Sequence, residues 1–381
     1  MATDTSTSDA LEVTSIDWEE YDQGRFRLDR RTIGTYGSLL LVGLLWLYDY
    51  FFIPERLPII DVDLGLFQLS LNPGNVDWLF LMTLVAVFWF VVAPLWENKR
   101  MTMYYWKKFR QNTAAVLSLY FLTGIFLVGA IGPRIIGQPE PEWGNLLAPP
   151  VFFGGTWAHP FGTHRTGEDI LEIVVAGAEV SFQVGLIATL FSVVLAAIVG
   201  ATAAFMGGWA DALLMRFVDL LMTFPTFFLI ILLIYIYGGS LFLLIIILAF
   251  TGWGGTARLI RSEALQRSEE EYISAAEAAG ASRAYIIRRH ILPNVSNTII
   301  TAATLLIPGM ILTEAIIAFL GFGDPDVWSW GRIIAAGRGN LDDAWWIATI
   351  PGIFLFFTVL SFNFLGDALR DALDPRHETE Q

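Results

Sequence analysis

Eight runs of apolar residues, each long enough to cross a bilayer as a helix, constrain this chain more than any other feature. The hydrocarbon core of a membrane is spanned by about 20 apolar residues at a rise of about 1.5 Å per residue. Because 55% of the 381 residues are hydrophobic and only 16% are charged, the composition argues against a soluble globular protein. We predict an all-α polytopic membrane protein with spans at 34–53, 78–96, 113–132, 180–206, 217–237, 241–257, 297–319 and 347–366.

The basic residues predict the orientation. If the N-terminus is cytoplasmic and the eight spans alternate, 18 of the 23 Lys and Arg residues lie inside and five lie outside. Cytoplasmic loops carry such an excess of bases, so both termini are predicted to be cytoplasmic. Residues 1–24 carry seven acids and no base, which is unlike a signal peptide and predicts a disordered acidic tail over 1–32. Residues 377–381 are predicted to be a second, short tail.

A polar stretch, "EYISAAEAAGASRAYIIRRHILPN", interrupts the apolar runs at 271–294. Ser268 and Glu271 have the spacing of a capping box at the start of a helix. Gly280 stands where a helix favours a left-handed residue at its end, and Ser282 can cap a second short helix that Pro293 stops. The pattern therefore predicts two short helices with a sharp turn, projecting between two spans.

One face of the first short helix is small apart from one aromatic ring. It carries Tyr272, Ala275, Ala276 and Ala279 at helical spacing. The alternative is an amphipathic loop on the lipid headgroups, with its arginines touching phosphates. Such a loop normally carries bulky apolar residues on its buried face, so the alanines favour docking into a groove of another protein.

This stretch resembles the cytoplasmic loop of ABC importer permeases, which reads Glu-Ala-Ala, three residues, Gly, nine residues, Ile-x-Leu-Pro. Two positions depart from the pattern: Ser274 replaces Glu and His290 replaces Ile. The wording "RRHILPN" is similar to the dipeptide, oligopeptide and nickel branch, as are "MRFVDLLMTFPTF", "ILTEAIIAFLGFG", "WSWGRII" and the segment 344–376. The likeness implies a permease core over 107–376 with a coupling loop at 258–296. Residues 33–106 would be an additional two-helix segment, whose outer loop alternates in a way that is consistent with a small hairpin.

The resemblance implies an ATP-driven importer located in the cell membrane. Its partners would be a second homologous permease, two ATPase subunits carrying ATP and Mg²⁺, and an extracellular solute-binding protein. Peptides are the expected substrate, and nickel or oligosaccharides are the alternatives within the family. The residues expected to couple to the ATPase are Ser268, Glu271, Tyr272, Ala275, Ala276, Ala279, Gly280, Arg288, His290, Leu292 and Pro293.

Three residues in the spans are candidates for the translocation path. Glu314 is an ionisable group inside a predicted span, where such groups are usually functional; a structural hydrogen bond to a neighbouring helix is the alternative. Pro225 and Pro308 are expected to kink their helices.

Other classes of function find little support. The chain has three lysines, and none of them follows a glycine as the lysine of a P-loop does, so ATP would be bound by another subunit and no cofactor by this chain. With no Cys and four His, neither an enzyme nor a metal site is predicted, and no nucleic-acid partner is expected. A secondary transporter or channel that works alone, or a membrane scaffold, would not require the spacing of the loop.

Overall fold

The structure is a computed structural model, and it describes residues 30–53, 60–63, 68–71 and 73–373. Most of the two predicted tails lies outside the described residues. The helices are α1 Arg30–Phe52, α2 Asn75–Glu97, α3 Lys99–Phe109, α4 Thr113–Ile136, α5 Ile170–Met206, α6 Gly208–Thr223, α7 Thr226–Tyr237, α8 Leu241–Thr251, α9 Gly254–Ser268, α10 Glu271–Ala278, α11 Arg283–Ile286, α12 Ser296–Phe319, α13 Trp330–Gly337 and α14 Trp346–Leu373.

The predicted all-helical membrane fold is confirmed. Within the described residues, seven helices are long and apolar enough to cross a membrane, or eight if the bent pair α6–α7 is one span. The predicted span 217–237 is this pair, and its two helices meet at an angle of 76°. Pro225 lies at the break, where it cannot supply a backbone donor, so the expected kink is confirmed there.

Two helices extend about ten residues beyond their predicted spans, and the sequence leaves the start of the first one open. The helix expected at 180–206 begins ten residues earlier, because the Asp169 carboxylate accepts a hydrogen bond from the Leu171 amide at 2.7 Å and caps α5. The span expected to end at 257 continues through α9 as far as Ser268. The Asp169 cap starts α5 earlier, and the polar residues of α9 extend the other helix beyond the apolar run on which its prediction was based.

The long helix α5 is the centre of the molecule, and α4, α8, α9 and α12 pack around it. Its neighbours approach closely at glycines. A Cβ placed on Gly177 would meet the indole of Trp330, and one placed on Gly200 would meet the backbone of α9. Trp330 is fully buried and its indole N–H donates to the Val174 carbonyl at 3.0 Å, which fixes the short helix α13 against α5.

Polar contacts join α2 to α4 and α5. Asp77 on α2 accepts a hydrogen bond from the Gln183 amide of α5 at 2.8 Å and lies 3.9 Å from the Arg134 guanidinium of α4. Arg134 also pairs with Glu179 of α5 at 3.0 Å. The two added helices are held to each other by a hydrogen bond from the Trp78 indole to Asp49 at 2.7 Å.

The loop between α1 and α2 contains the hairpin that its alternating sequence predicted. Strand β1 (Ile60–Asp63) pairs antiparallel with β2 (Gln68–Leu71), and Ile60 lies opposite Leu71. It is the one β-sheet in the part of the chain that the structure describes.

Candidate functional site

The short helix α10 is anchored on one side and open on the other. Ile273 is 2% exposed and packs in an apolar cluster with Ile286, Ile291 and other side chains on the side of the molecule that is predicted to face the cytoplasm. We call this cluster the inner apolar cluster. Tyr272 and the alanines 275 and 279 are exposed, whereas Ala276 is half-buried against the cluster. Three of the four residues of the predicted small face are therefore accessible to a partner.

The predicted capping box is wrong. Ser268 is the last residue of α9, and its hydroxyl donates to the Leu265 carbonyl of the preceding turn at 2.7 Å. The residue before α10 is Glu270, whose backbone is extended and whose side chain does not cap the helix. Ser268 is unavailable for capping because α9 continues farther than the sequence suggested. Glu271 instead begins α10, where its charge favours the positive end of the helix dipole.

Gly280 ends α10 as predicted. Its φ of +83° is left-handed, a conformation that glycine adopts without steric cost. The Gly280 amide donates to the Glu277 carbonyl at 2.9 Å, and the Ala281 amide donates to the Ala276 carbonyl at 3.0 Å. These two bonds form a Schellman motif, which satisfies carbonyls that the end of a helix would leave unpaired.

The second short helix begins as predicted and ends two residues later than predicted, at Asn294 instead of Leu292. The Ser282 hydroxyl accepts a hydrogen bond from the Tyr285 amide at 3.3 Å and caps α11. A π-helical turn, Ile287–Ile291, follows, and the helical segment passes through Pro293 to Asn294. Pro293 does not stop the helix because it lies in the first turn of Leu292–Asn294, where a missing N–H is tolerated.

His290, one of the two departures from the family pattern, lies between two aromatic rings. Its ring centroid is 6.0 Å from that of Tyr272 on α10 and 5.8 Å from that of Tyr285 on α11. Arg288 is exposed beside it, and Leu292 packs partly against the inner apolar cluster. The ring of His290 thus joins the two short helices across the Gly280 turn.

Two ion pairs hold the base of this segment to the neighbouring helix α6. Arg261 of α9 makes two hydrogen bonds to the Asp211 carboxylate, at 2.6 and 2.5 Å, and Arg258 pairs with Asp219. Sequence reasoning did not find these pairs, because the partners are 50 and 39 positions apart. They brace α9, the helix from which α10 projects.

The path candidate Glu314 lies inside the protein. It is 2% exposed on α12 and lies beside Ser329, whose hydroxyl caps α13 by accepting a hydrogen bond from the Arg332 amide. Within the described residues its second carboxylate oxygen has no hydrogen-bond partner. This contact agrees with the alternative that Glu314 has a structural role against a neighbouring helix. A role of Glu314 in the translocation path stays a prediction. Pro308 is buried within α12, whose helix continues through it.

His159 and His164, in the loop between α4 and α5 that is predicted to lie outside, both contact carboxylates instead of being merely solvated. The two ring nitrogens of His159 lie 3.0 Å from Asp169 and 3.2 Å from Glu142. His164 is buried, and its Nδ1 lies 3.2 Å from the Glu168 carboxylate. Across the described ranges, no group of three or more His and acidic side chains could hold a metal ion.

The electrostatics of the pair His164 and Glu168 follow from their surroundings. Burial lowers the pKa of the His164 ring below its usual value, although the hydrogen bond to Glu168 acts in the opposite direction. Burial alone would raise the pKa of the Glu168 carboxyl, but hydrogen bonds from Thr166 and His164 outweigh it and lower that pKa. The pair therefore favours a neutral ring beside an ionised carboxylate, joined by a hydrogen bond in the loop before α5.

Comparison with known proteins identifies the family. The family "Binding-protein-dependent transport system inner membrane component" matches residues 184–379, and "N-terminal TM domain of oligopeptide transport permease C" matches residues 101–150. Over 285 residues the chain is 35% identical to the oligopeptide transport system permease protein OppC of Haemophilus influenzae, covering 74% of this chain and 89% of the relative. It is also 35% identical over 278 residues to the dipeptide transport system permease protein DppC of Bacillus subtilis, covering 71% and 84% of the two chains.

These matches cover the helices that surround α5 and the projecting segment with its Gly280 turn. They also agree with the several apolar spans of the structure. The chain therefore belongs to the binding-protein-dependent transport system inner membrane component family, as a multi-spanning permease subunit whose ATPase is a separate polypeptide.

Proposed function

We propose that this chain is the permease of an ATP-driven peptide importer, that it forms half of the translocation path, and that residues 268–293 couple it to the ATPase. The relatives named for oligopeptide and dipeptide transport support peptides as the substrate class. Family membership supports the dependence on a solute-binding protein and an ATPase. The full assembly would contain a second homologous permease and two ATPase subunits that bind ATP and Mg²⁺.

The observation that carries the proposal is the exposed small face of α10 on a rigid support. Tyr272, Ala275 and Ala279 are open, and small side chains let another helix or a cleft approach the backbone closely. Ile273 on the opposite side is packed into the core. A push on this face is therefore transmitted to the protein interior instead of bending a loose loop.

The mechanism follows from what α10 is connected to. It is joined directly to α9, and the segment 283–294 connects it to α12, so each end leads into a membrane span. The inner apolar cluster includes Ile260 of α9 together with Ile273, so the two helices move as one packed body. Closure of the ATPase around its nucleotide would displace this body and tilt the spans, which is rigid-body coupling.

The coupling surface can be tested by site-specific cross-linking, because the chain has no cysteine. A cysteine introduced by Ala275→Cys, labelled with a thiol-reactive photo-crosslinker in membranes holding the whole transporter, is expected to give a covalent adduct with the ATPase, identified by mass spectrometry. Gln111→Cys is an exposed control on the same predicted side of the membrane, and Asp326→Cys is an exposed control on the other.

The adduct should form from position 275 and from neither control, and its yield should change when ATP is bound. Equal yields from positions 275 and 111, or no adduct at 275, would overturn the docking assignment. Uptake of a labelled oligopeptide in the same cells tests the substrate class. Accumulation of nickel or an oligosaccharide in place of peptide would contradict it.

A further inference from the structure

The helix α3, between the spans α2 and α4, concentrates positive charge in an otherwise acidic chain. The formal net charge of the protein is −14, yet residues 98–112 carry five bases and no acid. All three lysines of the chain lie here, at positions 99, 107 and 108. Such a local excess of bases indicates an anionic partner.

The structure shows that α3 is a fixed element rather than a loose linker. Phe109 is buried in a cluster with Ala115 of α4 and Ala368 of α14. At the other end, the Thr102 hydroxyl donates to the Asn98 carbonyl at 3.1 Å. Trp106 stacks on Phe109 with ring centroids 5.8 Å apart. The bases of α3 therefore stand on a rigid support.

Four of the five bases point away from the protein. Lys99, Arg100, Lys107 and Arg110 are exposed, and no carboxylate among the described residues pairs with them. At 100° per residue these positions fall within an arc of about 100° on one side of the helix. They form a continuous surface, which we call the basic face of α3.

Large apolar side chains lie exposed along the same helix. Met101 and Met103 are 52% and 56% exposed, and Trp106 is 38% exposed. A surface wholly in water rarely combines such side chains with a dense set of cations, whereas a helix at the membrane interface uses both. Tryptophan is also the side chain that prefers the headgroup level of a bilayer.

The position of α3 between two membrane spans indicates which anionic partner lies nearest to it. It starts two residues after Glu97, the last residue of the span α2, and it ends four residues before Thr113, the first residue of the span α4. Both of its ends are therefore held at the same surface of the membrane. The anions nearest to the basic face are the phosphates of that leaflet.

We propose that the basic face of α3 is a binding site for the headgroup phosphates of anionic phospholipids. The guanidinium and ammonium groups hold the phosphate oxygens, and Met103 and Trp106 enter the interfacial layer between the headgroups. Bound lipid would stabilise the connection between two parts of the chain. One part is the proposed added segment (helices α1 and α2), and the other is the permease core that begins with α4. The assignment does not depend on which solute the transporter carries.

Native mass spectrometry of the full chain in mild detergent can test the site by titration with phosphatidylglycerol. Each cation near an anionic surface contributes about a fivefold effect on affinity, so K99Q/R100Q/K107Q is expected to weaken binding by roughly one hundredfold. The matched control R165Q/R216Q/R338Q removes three exposed bases that lie outside both α3 and residues 268–293 and should change the affinity by less than about threefold. Zwitterionic phosphatidylcholine should bind the wild-type chain weakly, and its affinity should differ little between the wild type and the variants.

Several outcomes would overturn the proposal. Unchanged phosphatidylglycerol binding by the triple variant would exclude the site. An equal loss of affinity in the control would show that the effect comes from the net charge of the protein and not from a site on α3. Displacement of the lipid by millimolar inorganic phosphate would identify a free-anion site. Unchanged lipid binding with loss of the co-purifying ATPase would assign the basic face to protein docking. If the triple variant fails to fold, Lys107→Gln alone should lower the affinity for phosphatidylglycerol about fivefold. Lys107→Arg, which keeps the positive charge, should retain the wild-type affinity.

Discussion

At the scale of single residues, the turn between the two projecting helices depends on Gly280. No atom lies within 4 Å of a Cβ built at this position, so space is not what requires glycine. The requirement is its φ of +83°, which costs other residues roughly 1–2 kcal/mol. His290 adds a second constraint from the other side of the turn, since its ring touches a tyrosine on each helix.

Gly280→Ala should therefore loosen the turn without a steric clash. We expect a local destabilisation of about 1 kcal/mol, faster hydrogen exchange over residues 271–282, and reduced uptake with normal membrane insertion. Gly255→Ala is the matched control, because Gly255 lies in α9 with an ordinary helical φ and also has open space around its Cβ position. Exchange rates at 271–282 that match those of the control would show that the turn does not depend on glycine.

At the scale of elements, helix α2 is attached to α4 and α5 by a shared set of polar and charged side chains. Arg134 of α4 lies between Asp77 of α2 and Glu179 of α5, and Gln183 of α5 donates to Asp77. Three helices therefore meet at one polar cluster in an apolar surrounding. Removing one member leaves the others with fewer partners in a medium where unpaired polar groups are costly.

Asp77→Ala should weaken the attachment of α2 to the core. Because the side chains of Asp77 and Arg134 are 30% and 35% exposed, we expect the cost to be about 1–2 kcal/mol, below that of a fully buried pair. The melting temperature of the purified Asp77→Ala chain should be a few degrees below that of the wild type. The melting temperature of Asp77→Asn should lie between those of the wild type and Asp77→Ala. Asp326→Ala, an exposed acid in the outer loop before α13, is the control. An unchanged melting temperature for Asp77→Ala would contradict the role of the cluster.

At the scale of the whole molecule, the packing depends on how closely other helices approach α5. At Gly200 the backbones of α5 and α9 lie very close together, because a Cβ there would be 2.6 Å from the Ala257 carbonyl oxygen and 3.0 Å from the Arg261 nitrogen. Both neighbours are backbone atoms, which cannot turn aside as a side chain can. Since α9 leads directly into α10, this contact joins the proposed coupling segment to the centre of the fold.

Gly200→Ala should therefore force α9 outward and destabilise the protein by about 1–3 kcal/mol, the usual cost of overpacking. The change should appear as a lower melting temperature and weaker cross-linking from position 275. Gly309→Ala is the matched control within a span, since its Cβ would meet no atom within 4 Å. Equal melting temperatures for the two variants would show that the packing tolerates the added methyl group.

The sequence by itself determined the features that rest on local chemistry or on long apolar runs. The spans follow from hydrophobicity over about 20 residues, and the Gly280 turn and the Ser282 cap follow from backbone preferences within a few positions. The resemblance of the projecting loop to a known family could also be recognised, because the residues of its motif lie within one continuous stretch of the chain. These are all properties that a residue acquires from its near neighbours.

Only the tertiary structure decided which distant residues meet. Ser268 has the right spacing for a cap, yet it belongs to α9, because packing against α5 carries that helix beyond its apolar run. Glu314 could be recognised as unusual, but its contact with Ser329 depends on how α13 folds back. The meeting of Asp77 with Arg134, 57 positions away, depends on three helices packing together. No local pattern encodes such contacts, since they exist only once the spans have assembled.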